Sequence, residues 1–415
     1  MFQAIPSNEE IREILVKRIE RQKPEVGIVV GVIEPAGRRV VAHGQVVDGD
    51  SILEIGSITK VFTSLALADM VRRNEVALED PAAKYLREDV RMPERNGKSI
   101  TLLDLATHRS GLPANFSVDD VCTLPRDPGS EYEYSNVGAG LLGQILAHRA
   151  GTDYEGLIRT RITEPLGMPD TAITLSPAME QRMATGHDAM LAAVGNSDLP
   201  THLAGAGALR SSANDMLTFL EAFLGYKETP LAAAMKSMLE VRRPAGQIEI
   251  GLSWFIYSTT DGRTIAGHEG ATLGFSSFAA YDPKERVGVV VLSNSARQGV
   301  GDIGLHLLNP KPPTQRTAIH VDPQLLDNYT GRYQVTPNLV LEVTRDGDRL
   351  FTQGFAQVNG QTMALPKFEL FAEGEKDFFA TVADHQITFE TGSDGRATSL
   401  ILHKGGRDMM APRLR

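Results

Sequence analysis

From Ser57 the chain reads Ser-Ile-Thr-Lys and then Val61, Phe62, Leu65, Ala66, Ala68, Met70 and Val71, which puts apolar groups on nearly every face of the helix this run predicts. A helix that is apolar all round cannot lie on a surface. The rest of the chain has to enclose it, so the fold needs layers on more than one side. Lys60 tightens the constraint, because a lysine in the first turn of an enclosed helix needs a partner or a task. Ser57 is the only serine with a lysine three positions on, and residues i and i+3 share a helix face about one turn apart. At a helix start, the Ser57 hydroxyl would have a base beside it and free backbone N–H groups aimed at whatever it attacks.

The elements around this helix can be placed. Ser7 and Glu10 form a capping box ahead of Ile11, Ile14 and Leu15. Val26 to Ile33 and Arg39 to Ala42 are β-rich, and Pro35-Ala36-Gly37 turns between them, which predicts a hairpin. The chain is then mostly helix and loop to about residue 225. One helix starts near Thr101 with Asp104 completing a cap. A second runs from Val137 to Ala150 and stops at Gly151. A third is capped by Ser212 with Asp215 and stops at Gly225. Strands return at Leu252–Tyr257, Thr264–Gly267, Phe275–Tyr281 and Val287–Ser293. Strands at both ends of a helical middle predict an α+β domain over residues 1–308, with an antiparallel sheet joining the chain ends. A proline-rich linker, 309–320, follows. Residues 321–415 change character to alternating runs such as Leu339–Val343 and Gln386–Glu390, punctuated by Asp346-Gly347 and Asp394-Gly395. That pattern predicts a small antiparallel barrel.

Composition removes several functions. The net charge is −10 and the pI about 5.6, with no basic tract, which disfavours nucleic acid and anionic membrane surfaces as partners. No apolar run is long enough to span a bilayer. The N-terminus has neither a basic n-region nor an apolar h-region, so a cytoplasmic location is expected, or a periplasmic one if a leader preceded this sequence. The single cysteine, Cys122, excludes an intramolecular disulfide, and the ten histidines show no metal-ligand spacing. No cofactor or metal is expected.

Two further elements can join Ser57 and Lys60. Tyr134-Ser135-Asn136 is the only Tyr-x-Asn in the chain. A phenol can relay a proton if a neighbouring ammonium holds its pKa down, and an amide such as Asn136 can bind a substrate carbonyl and accept from Lys60. The second is His268-Glu269-Gly270-Ala271, at the end of a predicted strand, where glycine lets a substrate backbone approach the edge. Gly138-Ala139-Gly140-Leu141-Leu142-Gly143 fits a dinucleotide fingerprint but follows no apolar strand, so its glycines are assigned to close helix packing. His403-Lys404-Gly405 also fits His-x-Gly but lies in the C-terminal region. The esterase elbow Gly-x-Ser-x-Gly is absent, which argues against an α/β-hydrolase.

Taken in this order, Ser57-x-x-Lys60, Tyr134-x-Asn136 and His268-x-Gly270 resemble the serine β-lactamase and penicillin-binding-protein superfamily. The likeness is strongest to its class C and DD-peptidase branch, which includes family VIII carboxylesterases and D-aminopeptidases. Class A enzymes carry Ser-Asp-Asn second, so the tyrosine decides the branch. The stretches EIGSITKVFTSLALADMV, ITLLDLATHRSGLP and PGSEYEYSNVGAGLLG extend the resemblance over residues 10–305. The tail resembles a lipocalin-like barrel. The resemblance implies an acyl-enzyme on Ser57, with Lys60 and Tyr134 moving the proton and Asn136 positioning substrate. His268 would line the opposite wall, and the N–H groups of Ser57 and Ala271 would form an oxyanion hole. Family β-lactamases place Lys-Thr where this chain has His268-Glu269. If Glu269 faces the pocket it repels a carboxylate, which favours neutral esters or a substrate with a free amine. The expected activity is therefore a carboxylesterase on small acyl esters. The alternatives are a D-amino-acid peptidase or amidase, a DD-peptidase or β-lactamase-like protein, and a penicillin-binding sensor that acylates without turning over.

Overall fold

The computed structural model describes residues 4–414 except 20–24, 45–46, 87–90, 115–122, 247, 260, 298, 310–317, 337–338, 359–360, 381–384 and 405–406. Cys122, Gly405 and most of the proline-rich linker lie outside the described residues. The chain divides into two units, Met1–Pro310 and Lys311–Arg415.

The first unit opens with α1 (Asn8–Ile19), whose first turn carries the expected capping box: Ser7 N–H donates to Glu10 Oε2 at 2.7 Å. Strands β1 (Ile28–Glu34) and β2 (Gly37–His43) form the predicted hairpin. A short strand β3 (Leu53–Glu54) leads through the turn Gly56–Ile58 into α2 (Thr59–Arg72). The helical region continues with α3 (Leu102–Ala106), capped by Thr101 and Asp104, and α4 (Asn136–Arg149), capped by Ser135. Strand β4 (Arg210–Ser211) pairs with β3, and α5 (Ala213–Phe223) is capped by Ser212, as its spacing to Asp215 predicts. Then come β5 (Arg243–Ala245), β6 (Ile248–Ile250), β7 (Phe255–Ser258), β8 (Thr264–Ala271), β9 (Ser276–Asp282), β10 (Val287–Ser293) and α6 (Gly301–Leu308).

These strands make one antiparallel sheet in the order β2-β1-β10-β9-β8-β7-β6-β5, so the first and last thirds of the domain meet where Ile28 pairs with Ser293. Both faces of its centre are buried. Val30, Val32, Val289 and Val291 pack with α1 and α6 on one side, while Val29, Ile33, Val290 and Leu292 join the helical region on the other. The alternation follows from the two-residue period of a strand. Every residue of α2 from Thr59 to Met70 is buried, as its all-round apolar pattern requires. Phe62 stacks on Phe219 of α5 at 4.2 Å. Truncating a buried phenylalanine of this kind to alanine costs about 3–5 kcal/mol. The glycine-rich stretch in α4 serves packing: a Cβ on Gly143 would come within 3.0 Å of Gly205 Cα.

The second unit is an eight-stranded antiparallel sheet. Its strands run in chain order: β11 (Gly331–Thr336), β12 (Leu339–Asp346), β13 (Arg349–Val358), β14 (Gln361–Ala372), β15 (Asp377–Phe379), β16 (His385–Thr391), β17 (Ala397–Lys404) and β18 (Arg407–Pro412). A bridge from Tyr333 to Arg413 brings the first strand to the end of the last, so the barrel is nearly closed. Tyr329, Tyr333, Phe378 and Phe389 fill its core. The Asp-Gly turns fall where expected, with Gly347 and Gly395 at φ +61° and +79°. His403 is held by Asp408 at 2.6 Å and Thr388 at 3.0 Å, a satisfied pairing within the barrel.

Candidate active site

Ser57 does not itself begin the α-helix. It sits in the single 3₁₀ turn Gly56–Ile58, and Lys60 is the second residue of α2. The i, i+3 reach survives this, because 3₁₀ and α turns both return to the same face within three to four residues. Lys60 Nζ lies 2.9 Å from Ser57 Oγ and 2.6 Å from the Ala206 carbonyl oxygen, fully buried. Burial pulls its pKa down to about 7, so near neutral pH much of it is an uncharged amine with a lone pair.

Tyr134 stands over this amine, with its ring centroid 4.8 Å from Lys60 Nζ and its hydroxyl hydrogen-bonded with Ser57. The ammonium does not hold the phenol's pKa down. Burial drives it up, with only the Ser57 hydrogen bond opposing. Tyr134 is a neutral phenol at working pH, and the group that titrates near neutrality is Lys60. Asn136 opens α4 two residues on, its N–H donating to the Ala114 carbonyl at 2.9 Å; the helix cap beside it is Ser135, whose Oγ accepts from Gly138 N–H.

The third motif enters on β8. Its pairing with β7 stops at Gly267, while pairing with β9 continues to Ala271, so 268–271 presents one open edge to the serine turn. The glycines serve that contact. A Cβ on Gly270 would collide with the Ile55 carbonyl oxygen and Ser277 Oγ, and a Cβ on Gly56 would lie 2.8 Å from Ala271 N. The backbone that Gly270 admits is therefore the protein's own, and it sets Ala271 against the turn that carries Ser57. The sequence assigned that space to substrate.

His268 and Glu269 part company, as successive strand residues do. His268 is 1 % exposed, with its ring 5.2 Å from Phe255 and its Nδ1 donating to the Glu269 carbonyl at 2.6 Å. Burial and Lys60 drop its pKa to about 3, so it is neutral. It backs the site from beneath the surface and is not itself an open wall. Glu269 is on the other face of the sheet. Its carboxylate occupies the space where a Gly301 side chain would stand, at the N-terminus of α6, where a helix dipole favours negative charge. The structure does not bring Glu269 to the cluster, and the argument that it repels a substrate carboxylate falls with it.

Three contributors carried no assignment from the sequence. Ala206 supplies the carbonyl that fixes Lys60. His108 and Phe255 wall the phenol and the second imidazole. Backbone carbonyls leave no sequence signal, and a lone histidine or phenylalanine is ordinarily core. Beside the serine turn lies a cavity of about 550 Å³ lined by Leu175, Met183, Asn196, Leu199, Ala208 and Arg210. It borders the 206–208 segment, where a Cβ on Gly207 would sit 3.7 Å from the Gly56 carbonyl carbon. Arg210 at its wall is paired with Asp198 at 2.6 Å.

A hydroxyl backed by a buried amine of lowered pKa, in the turn that leads into a helix and beside an open strand edge, is an arrangement that can activate a serine nucleophile. The comparisons agree on its kind. A family model described as beta-lactamase matches residues 16–307, and the chain belongs to that family of serine hydrolases. It is 30% identical to the D-alanyl-D-alanine-carboxypeptidase/endopeptidase AmpH of Escherichia coli (strain K12), over 63% of this chain and 78% of that protein. It is 24% identical to penicillin-binding protein 4* of Bacillus subtilis (strain 168), over 88% of each. Among solved structures, a class C β-lactamase from Rhodobacter sphaeroides aligns with TM-score 0.60 at 28% identity, over 69% of this chain and 93% of that one. A penicillin-binding protein homologue from Pyrococcus abyssi shares the fold over 98% of this chain and 100% of its own, with TM-score 0.68 at 23% identity. Residues 315–412 match a domain of unknown function, DUF3471, and nothing in that match supports the lipocalin likeness.

Proposed function

We propose that this protein hydrolyses small acyl esters through an acyl-enzyme on Ser57. One observation carries the reading: the Lys60 amine, with its pKa near 7, lies 2.9 Å from the Ser57 oxygen. Uncharged Lys60 takes the proton as Ser57 Oγ bonds to the carbonyl carbon. The N–H groups of Ser57 and Ala271 hold the developing oxyanion, a role in which one donor is worth roughly 3 kcal/mol. The bond to the leaving group breaks as Tyr134, a neutral phenol, gives it a proton, and Lys60 replaces that proton. Water then adds to the acyl carbon, passing its proton to the same pair, and Ser57 leaves with one. Asn136 orients the acyl carbonyl.

Ester preference rests on charge. Where family β-lactamases carry a lysine, His268 is neutral and buried, so the third motif offers a substrate carboxylate no cation. A second reading, hydrolysis of D-amino-acid peptides, is favoured by the similarity to the carboxypeptidase/endopeptidase AmpH. Turnover of p-nitrophenyl acetate and butyrate, a D-alanyl-D-alanine peptide and a chromogenic cephalosporin separates the two. Ester kcat/KM at least tenfold above the others is expected, and faster peptide turnover overturns the preference. A single burst of product without turnover would identify a sensor. A serine-directed phosphonate should label Ser57, and a label elsewhere overturns the mechanism.

A further inference from the structure

His108 follows α3 in the left-handed region, at φ +55°, where a residue with a side chain rarely sits unless the surroundings hold it. It is 1 % exposed. Its carbonyl oxygen accepts from Glu133 N–H at 2.8 Å, and its Nδ1 accepts from Ser135 N–H at 3.1 Å. Those are the two residues on either side of Tyr134. Between these bonds its ring packs on the Tyr134 ring, with centroids 4.4 Å apart. One residue thus holds three successive positions of this loop, Glu133 through its backbone carbonyl and Tyr134 and Ser135 through its imidazole. The same loop is fastened further along, where Ser135 Oγ donates to the Pro113 carbonyl and Asn136 N–H to that of Ala114. Those later bonds fix the start of α4, whereas His108 holds both neighbours of the phenol.

We infer that His108 is a positioning residue for Tyr134: its carbonyl and Nδ1 bracket the tyrosine while its imidazole sets the plane of the phenol over Lys60. The inference rests on the proposed proton-transfer role of Tyr134. A backbone N–H can only donate, so Nδ1 must be the acceptor and the ring proton must be on Nε2. This tautomer requires a neutral ring. Burial, then Lys60 on α2 and His268 on β8, hold the His108 pKa well below its usual value, and Tyr132 packs edge-on at 6.1 Å. The grip therefore persists across the whole neutral range. Its geometric tolerance is small, since an ångström of misplacement at a reacting group costs about a hundredfold in rate.

The test is a double-mutant cycle read as kcat per phosphonate-titrated active site. His108→Leu keeps the bulk and loses the acceptor. It should lower kcat by about 10- to 100-fold with KM within about threefold. In a Tyr134→Phe background the same change should cost less than about threefold, because residues acting through one group are not additive. His108→Asn, which offers an amide oxygen near the Nδ1 position and tolerates positive φ, should recover activity to within about fivefold of wild type. Where His108→Leu does not fold, His108→Gln takes its place in the cycle, since its acceptor is displaced by one bond. Equal losses in both backgrounds overturn the inference while leaving Tyr134 in its role. Full kcat in Tyr134→Phe alone overturns that role, and the inference with it.

Discussion

Gly56→Ala perturbs the site at one atom. Gly56 has φ +48°, and a Cβ there would stand 2.8 Å from both the N and O of Ala271 and 3.0 Å from its carbonyl carbon. These are backbone atoms of a strand paired to β9 through Ala271 and Ser276, so no side chain can swing aside. Ordinary contact begins near 3.4 Å, so the serine turn and the strand must part by about half an ångström. Left-handed backbone adds about 1–2 kcal/mol for a residue with a Cβ. The displaced group is the proposed second oxyanion donor, and losing one such donor costs about 10²–10³ in kcat. A partial displacement should cost about 10²-fold in kcat/KM for p-nitrophenyl acetate, with Tm lower by a few degrees. Gly225→Ala is the control. It has φ +72° with nothing within 4 Å of the new Cβ, so it carries the backbone strain without the collision. It should show a similar loss of Tm and unchanged kcat/KM. If Gly56→Ala keeps activity within about threefold of wild type, the Ala271 N–H is not part of the reaction.

Ester kcat/KM should rise with pH through about 7 and then level, because Lys60 must lose its proton before it can accept one from Ser57. His268, with a pKa of about 3, should add no second inflection between about pH 5 and 8. A midpoint near the ordinary lysine value would show that Lys60 is not the base, and Lys60→Arg, permanently charged, should be inactive in the same assay. Tyr134→Phe should lower kcat by about 10²–10⁴-fold with little change in Tm; a loss of only about twofold would reduce the phenol to packing. Glu269→Gln should leave the ratio of cephalosporin to ester turnover within about twofold and lower stability by about 0.3–1 kcal/mol, because the carboxylate sits at the α6 N-terminus. A tenfold shift in that ratio would return Glu269 to the substrate pocket.

What the sequence made legible is what periodicity and capping report. The all-round apolar run after Ser57, the Ser7, Thr101 and Ser212 caps, and the alternation from Thr264 to Ser293 are local signals. Each has its element in the structure. The boundaries moved by one to four residues where tertiary contact took over. Strand β8 runs four residues past Gly267, to Ala271, because β9 continues to pair with it after β7 has ended. Ser57 falls in a 3₁₀ turn because Gly56 must pass against Ala271, a contact between residues far apart in the chain.

The site was legible as a set of residue types and illegible as electrostatics. Tyr134 was expected to feel an ammonium that lowers its pKa. The fold instead buries both groups, and burial acts oppositely on the two: it raises the phenol, whose charged form is the anion, and lowers the amine, whose charged form is the cation. Which of the two titrates near neutrality is therefore decided by how deeply the helical layer covers the pair, which no spacing in the sequence encodes. Glu269 shows the same limit from the other side. Strand alternation says that it and His268 face opposite ways but not which of them faces the serine. That choice was made by the Lys60 side of the sheet, which takes a neutral imidazole, and by the α6 side, which stabilises a carboxylate at a helix N-terminus.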